Sequence, residues 1–253
     1  MARIELNSVS VNFPIYDSTT RSLKNRLIAS TTGGQLGSRS KHVTVVQALN
    51  SISMTLKDGD RVGLVGHNGA GKSTLLRVLA GIYEPSSGSV LIDGQVAPLF
   101  DIALGMDPEA TGFENIAVRG LFLGLTRAEI KAKLPEIAEF TELGEFLDLP
   151  VRTYSDGMRL RLAFAVSTAI EPEILLLDEG IAAGDAAFIE KANKRLHSFA
   201  ERAAIIVLAS HSPNLLKTMC NTAILLEHSK MVAYGDVNQI LDLYARKPGT
   251  RAV

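Results

Sequence analysis

The residues best able to do chemistry stand in one run, Gly66-His67-Asn68-Gly69-Ala70-Gly71-Lys72-Ser73, which fits the spacing Gly-x-x-x-x-Gly-Lys-Ser/Thr. The apolar residues Val62 to Val65 lead into it, and Leu75, Leu76, Val78 and Leu79 follow at helical spacing. In such a strand, loop and helix, the glycines let successive backbone N–H groups converge on phosphate oxygens, and the positive end of the helix adds to the attraction. Lys72 is expected to reach the β- and γ-phosphates, and the Ser73 hydroxyl to ligate Mg²⁺. A glycine turn without a ligand is the plainer reading, and the four fixed positions in the right context weigh against it. The chain is therefore expected to bind a nucleoside triphosphate.

A second set of groups lies about a hundred residues on. Ile174-Leu175-Leu176-Leu177-Asp178-Glu179 is an apolar run ending in two carboxylates, the pattern of a buried parallel strand whose carboxyl end opens at a ligand. Asp178 is expected to hold Mg²⁺ and Glu179 to polarise an attacking water; the rival is a strand that merely leaves the core. Asp185 follows six positions after Glu179. His211 stands just past the next apolar run, Ala203 to Ala209, where it could meet a γ-phosphate or be structural. Tyr154-Ser155-Asp156-Gly157-Met158 precedes a helical pattern, with Ser155 a candidate N-cap and the helix start a second anion site. If a helical lobe holds this segment away from its own phosphate loop, two chains arranged head to tail would each complete the other's site.

Holding these groups in place requires strands and helices that the pattern also indicates. Ile4 to Phe13 alternates as an edge or half-buried strand does, and Phe13 or Tyr16 could stack on an adenine ring, with core packing the alternative for Phe13. Val45 to Leu56, Arg61 to Val65 and Ser89 to Gly94 read as further strands, the first two joined by the turn Asp58-Gly59-Asp60. Asp101 to Ala110 reads as irregular, Thr111 to Gly124 as helical, and Thr126-Arg127-Ala128-Glu129 as a capping box opening a helix with Ile130, Leu134 and Ile137 on one face. The expected organisation is a nucleotide-binding core with a β subdomain over 1–101 and 161–253, a helical lobe over 102–160, and a basic insertion over 14–44.

Composition sets outer bounds. The chain has 253 residues, 26 Lys+Arg against 27 Asp+Glu, a net charge of −1 and 46% hydrophobic residues, so it reads as globular and carries no bulk charge favouring nucleic acid. The lone Cys220 cannot form an internal disulfide, which suits a reducing compartment. No apolar signal segment opens the chain and charges interrupt each hydrophobic run, so a cytoplasmic protein is expected. Between Ser18 and Lys57 no acidic residue occurs, whereas Arg21, Lys24, Arg26, Arg39 and Lys41 are basic. With Leu23, Leu27 and Ile28 on one face of a helix over Thr20 to Ser30, this stretch reads either as a solvated insertion or as an element meeting anionic lipid.

The order of these motifs resembles an ATP-binding cassette, a phosphate-loop α/β fold with a RecA-like core, an antiparallel β subdomain and an inserted helical subdomain. The resemblance spans nearly the whole chain. It implies that Gly66 to Ser73, with Thr74, is the phosphate loop, Tyr154 to Met158 the signature segment, Ile174 to Glu179 the second nucleotide motif, Ala183 to Asp185 the dimer-contact loop, and His211 the switch histidine. It further implies ATP and Mg²⁺ as ligands, hydrolysis at two sites between two cassettes, and a membrane partner driven by their closure. The Tyr154 signature ending in Gly157-Met158, Gly180, Gly184-Asp185-Ala186-Ala187-Phe188, Pro108 to Ile116 and the basic insertion are similar to the ATPase subunits that export lipid-linked polysaccharides: O antigen, some capsules and teichoic acids. In that branch the homodimer serves two copies of a membrane-spanning permease, peripherally on the cytoplasmic face of the inner membrane, and meets the polysaccharide only indirectly.

Three departures stand out. Asp156 occupies a position where the family has Gly, or Ser in this branch, and a carboxylate beside a phosphate site repels it unless it points away. No Gln stands where cassettes carry a metal-sensing one, because Gln95 falls too early; Asp101 is the expected substitute. Past Val237 to Tyr244 the sequence leaves no room for the carbohydrate-binding domain that some members append, so the sugar is not expected to be chosen by this subunit. The rival readings are an exporter of drug, lipid or peptide, a cassette ATPase acting on ribosomes or chromosomes, and a phosphotransferase, which would have no use for the segment at Tyr154.

Overall fold

The computed structural model describes residues 1–15, 44–100, 105–178 and 186–246. Two sheets share the strands. The smaller is antiparallel, in the order β2-β1-β4, from β1 (Arg3–Ile15), β2 (Thr44–Lys57) and β4 (Ser87–Asp93). β1 is thus the middle strand, not an edge: its apolar positions Ile4 and Leu6, then Val9 and Val11 after a bulge at Ser8, are buried against the core. It also runs on to Ile15, which pairs with Thr44, so the ends of the expected basic insertion belong to a strand pair. The rest of that insertion, with its expected basic helix, lies outside the described residues.

The larger sheet has the order β5-β6-β7-β3-β8-β9, from β5 (Val96–Leu99), β6 (Ile174–Asp178), β7 (Ile205–Ala209), β3 (Arg61–Val65), β8 (Thr222–Glu227) and β9 (Lys230–Asp236). All neighbours pair parallel except the hairpin β8–β9. Its central strands β6, β7 and β3 are uncharged and buried but for Arg61 and Asp178 at strand ends, because both faces are covered. Alternate residues go to opposite sides: Leu64, Leu176, Val207 and Ile224 pack with helix α1 (Lys72–Leu79) and the small sheet, while Leu175, Leu177, Leu208 and Leu225 pack with the helices of the other face.

Between β5 and β6 come α2 (Gly112–Phe122), α3 (Arg127–Thr141) and α4 (Asp156–Ser167). Thr111 with Glu114 and Thr126 with Glu129 form complete capping boxes, and each satisfies otherwise orphaned N–H groups at a helix start. Ile130 and Ile137 are buried and Leu134 packs against the same core, so this face is the one the spacing indicates. α4 runs unbroken through residue 160, where the sequence pattern places the lobe boundary, and carries the buried Phe164 into the core. The chain continues through α5 (Ala186–Arg202), α6 (Pro213–Met219) and α7 (Val237–Ala245).

Candidate nucleotide site

Strand register gathers groups that are distant in sequence. Leu64 of β3 and Asp178 of β6 both pair with Ala209 of β7, so the three strands end level with one another. The loop after β3, the last residue of β6 and the segment Ser210-His211 after β7 therefore open at the same sheet edge, where α/β folds bind ligands.

At that edge the phosphate loop is tightly seated. A Cβ on Gly66 would fall 2.3 Å from the Leu226 carbonyl oxygen, and one on Gly71, at φ 111°, would fall 2.8 Å from that of Ala48. Neither position admits a side chain without moving backbone. Lys72 is buried, and its ammonium donates to the carbonyls of Gly66 at 2.5 Å and His67 at 3.2 Å, which holds the loop curled around it. His67 Nδ1 lies 2.7 Å from the Asn68 carbonyl, a geometry that makes it the donor. Ser73 Oγ donates to Asp178 Oδ2 at 3.0 Å. A hydroxyl and a carboxylate meeting in this way are hard oxygen donors, and they fit Mg²⁺.

Gly71, Lys72, Ser73 and Asp178 line a cavity of about 500 Å³, to which Asn68, Gly69, Thr74 and His211 also contribute, whereas Gly66, His67 and Ala70 are not among its lining residues. Phe13 stands in its wall opposite Val46, its strand partner, and packs edge-on to Tyr83 at 5.3 Å. It is half-buried: one face packs against the core and the ring borders the cavity. Sequence reasoning misses further wall residues, among them Val46, Gln47, Ala48 and Ser229. They come from β2 and the β8–β9 turn, and no local pattern marks them.

Tyr154 departs from its expected role among the nucleotide contacts. Its ring is buried in the helical lobe and its hydroxyl donates to the Phe146 carbonyl at 2.5 Å, with Gly112 leaving room for it. Burial, aided by the charge of Asp148, raises its pKa and keeps it a neutral donor. The residues after it face outwards. Ser155 caps α4 by accepting from Met158 N at 3.2 Å. The Asp156 side chain is 98% exposed and ion-pairs with Arg159, so its charge is answered on its own helix. Tyr154 to Gly157 are absent from the described residues lining the cavity.

Glu179, Asp185, Gly180, Asp101 and Tyr16 lie outside the described residues. Gln95 is placed at the opposite end of β5 from Leu99, donating to the Leu123 carbonyl at 2.9 Å, which removes it from the site.

A phosphate loop on a central strand of a mainly parallel sheet, facing an aspartate at the end of the next strand but one, defines a P-loop nucleoside triphosphatase. Residues 49–182 match the model of the family described as ABC transporter. The chain belongs to the ABC transporter family. It is 51% identical to the O-antigen export system ATP-binding protein RfbE of Yersinia enterocolitica, over 90% of this chain and 95% of that protein. Its identity to the O-antigen export system ATP-binding protein RfbB of Klebsiella pneumoniae is 36%, over 95% of this chain and 96% of the relative. With the teichoic acids export ATP-binding protein TagH of Bacillus anthracis it shares 38% identity over 96% of this chain, which spans 42% of that protein. The fold matches a dimeric, post-hydrolysis structure of the ATP-binding cassette MJ0796 with ADP and Pi, at a TM-score of 0.66 and 21% identity, covering 92% of this chain and 98% of that one.

Proposed function

We propose that this chain is the ATP-hydrolysing subunit of an exporter of lipid-linked polysaccharide, with O antigen the best-fitting cargo. The observation that carries the chemistry is the meeting of Ser73 and Asp178 at the mouth of the phosphate loop. Lys72 and the loop N–H groups bind the phosphates, with Thr74 beside them, and Ser73 and Asp178 hold Mg²⁺, aided by Asp101. The metal neutralises charge on the phosphate oxygens. Glu179 orients or deprotonates the attacking water, and His211 contacts the γ-phosphate. Phe13 and Tyr16 bound the adenine.

The exposed cap of α4 supports a head-to-tail homodimer in which Ser155, Asp156 and Gly157 of each chain complete the other's site, with Asp185 at the contact between them. Closure of that pair works two copies of a membrane-spanning permease, from the cytoplasmic face of the inner membrane. Among the described residues no helix is long and apolar enough to cross a membrane. The cargo assignment rests on the 51% identity to an O-antigen export protein along nearly its full length. Deleting the gene should leave lipid-linked O antigen inside the cell, and the parent chain should restore export where Lys72→Ala does not. Normal surface O antigen in the deletion strain would refute the cargo.

A further inference from the structure

The β8–β9 turn consists of His228 and Ser229, and both have left-handed backbones, with φ 44° and 68°. Two-residue turns of this kind favour Asn-Gly or Asp-Gly, since a Cβ is strained at positive φ. Neither residue here is glycine. Strain that persists is held by its surroundings, and it points to a use.

The surroundings are those of the nucleotide cavity. Ser229 is buried, its Oγ donates to the Gln47 carbonyl at 2.7 Å, and its own carbonyl accepts from Asn50 N at 2.7 Å. Its Cα lies 3.9 Å from where a Cβ would stand on Gly71, and the His228 ring sits 5.4 Å from that of His67. One short turn therefore touches both the phosphate loop and the stretch of β2 that walls the cavity beside Phe13.

We infer that Ser229 is a positioning residue for the nucleotide: its hydroxyl pins Gln47, and with it the base-side wall of Val46 and Ala48, at a set distance from the phosphate loop. Glycine would ease the turn but forfeit that hydrogen bond. The inference rests on the nucleotide-binding reading above, because the wall matters only if a nucleotide spans the two halves.

The test compares the full-length parent with Ser229→Gly and Ser229→Ala, measuring Kd for ATP with Mg²⁺, the KM and kcat of hydrolysis, and Tm without nucleotide. Both variants should raise Kd and KM about five-fold, the loss expected for one hydrogen bond, with kcat unchanged. Ser229→Ala should lower Tm by about 2–4 °C, whereas Ser229→Gly should hold it within about 2 °C of the parent, because relief of the left-handed backbone offsets the lost hydrogen bond. Weaker binding in a variant as stable as its parent cannot come from unfolding. Unchanged Kd in both variants, or a fall in kcat at constant KM, would overturn the role of Ser229. A parent chain that binds no ATP would instead overturn the nucleotide reading itself, so the two failures are told apart by the parent alone.

Discussion

Ser73 Oγ and Asp178 Oδ2 lie 3.0 Å apart across 105 residues of sequence. The bond ties the first turn of α1 to the last residue of β6, and it brings together the two oxygen donors best suited to a magnesium ion. Asp178→Asn keeps an acceptor for Ser73 but removes the charge. Mg²⁺-dependent hydrolysis should fall by at least about 100-fold while the fold is retained, as read from a metal titration of activity beside a thermal melt. Activity within a few-fold of the parent would remove Asp178 from the metal site.

Glu179 follows directly, and its expected part is to act on water rather than on the nucleotide. Glu179→Gln should bind ATP as the parent does and hydrolyse it about 1,000-fold more slowly or less, within the span general-base removal commonly gives. With ATP present it should run as a dimer in gel filtration. A monomeric elution under those conditions would argue against the paired arrangement of the Ser155 segments.

The helical lobe is fastened to the core by a cluster around Phe140. Arg195 of α5 stacks over the Phe140 ring at 4.5 Å, ion-pairs with Glu136 at 2.8 Å and donates to Thr168 Oγ1 at 2.8 Å. Lys191, one turn earlier, reaches Glu142 at 2.6 Å and the Phe140 carbonyl at 3.2 Å. Arg195→Ala should lower unfolding stability by about 2 kcal/mol, the sum expected of one cation–π contact and one hydrogen bond. Urea unfolding reads this directly, and a shift of under about 0.5 kcal/mol would show the cluster to be passive.

Cys220 reports on the core. Burial pushes its pKa up from 9.0 to about 12, with Arg61 opposing weakly. In the unfolded chain the thiol ionises near its ordinary value, so between pH 9 and about 12 the unfolded state has fewer protons and stability falls as pH rises. Below pH 9 the group contributes no slope. Cys220→Ala should flatten this alkaline limb, and the parent thiol should resist alkylation at pH 8 until denaturant is added.

Contiguous patterns are legible in the amino-acid sequence by itself. The phosphate loop, the capping boxes at Thr111 and Thr126, and the cap at Ser155 each depend on backbone groups within a few residues, so spacing alone reveals them. The two-sided burial of β6 and β7 is legible for a similar reason, since an unbroken apolar run has to be covered on both faces.

Which residues stand next to the phosphates is decided by the tertiary structure. Sequence spacing cannot put β7 between β3 and β6, level at Ala209, nor bring Val46, Gln47 and Ser229 into the cavity wall. It also offers Tyr154 as a nucleotide contact, whereas the fold turns that ring inwards to satisfy the Phe146 carbonyl. The physical reason is common to all of these. Periodicity reports how one segment divides its faces between water and core, but strand order, register and the direction of a side chain at a helix start are settled only when other segments arrive to pack against it.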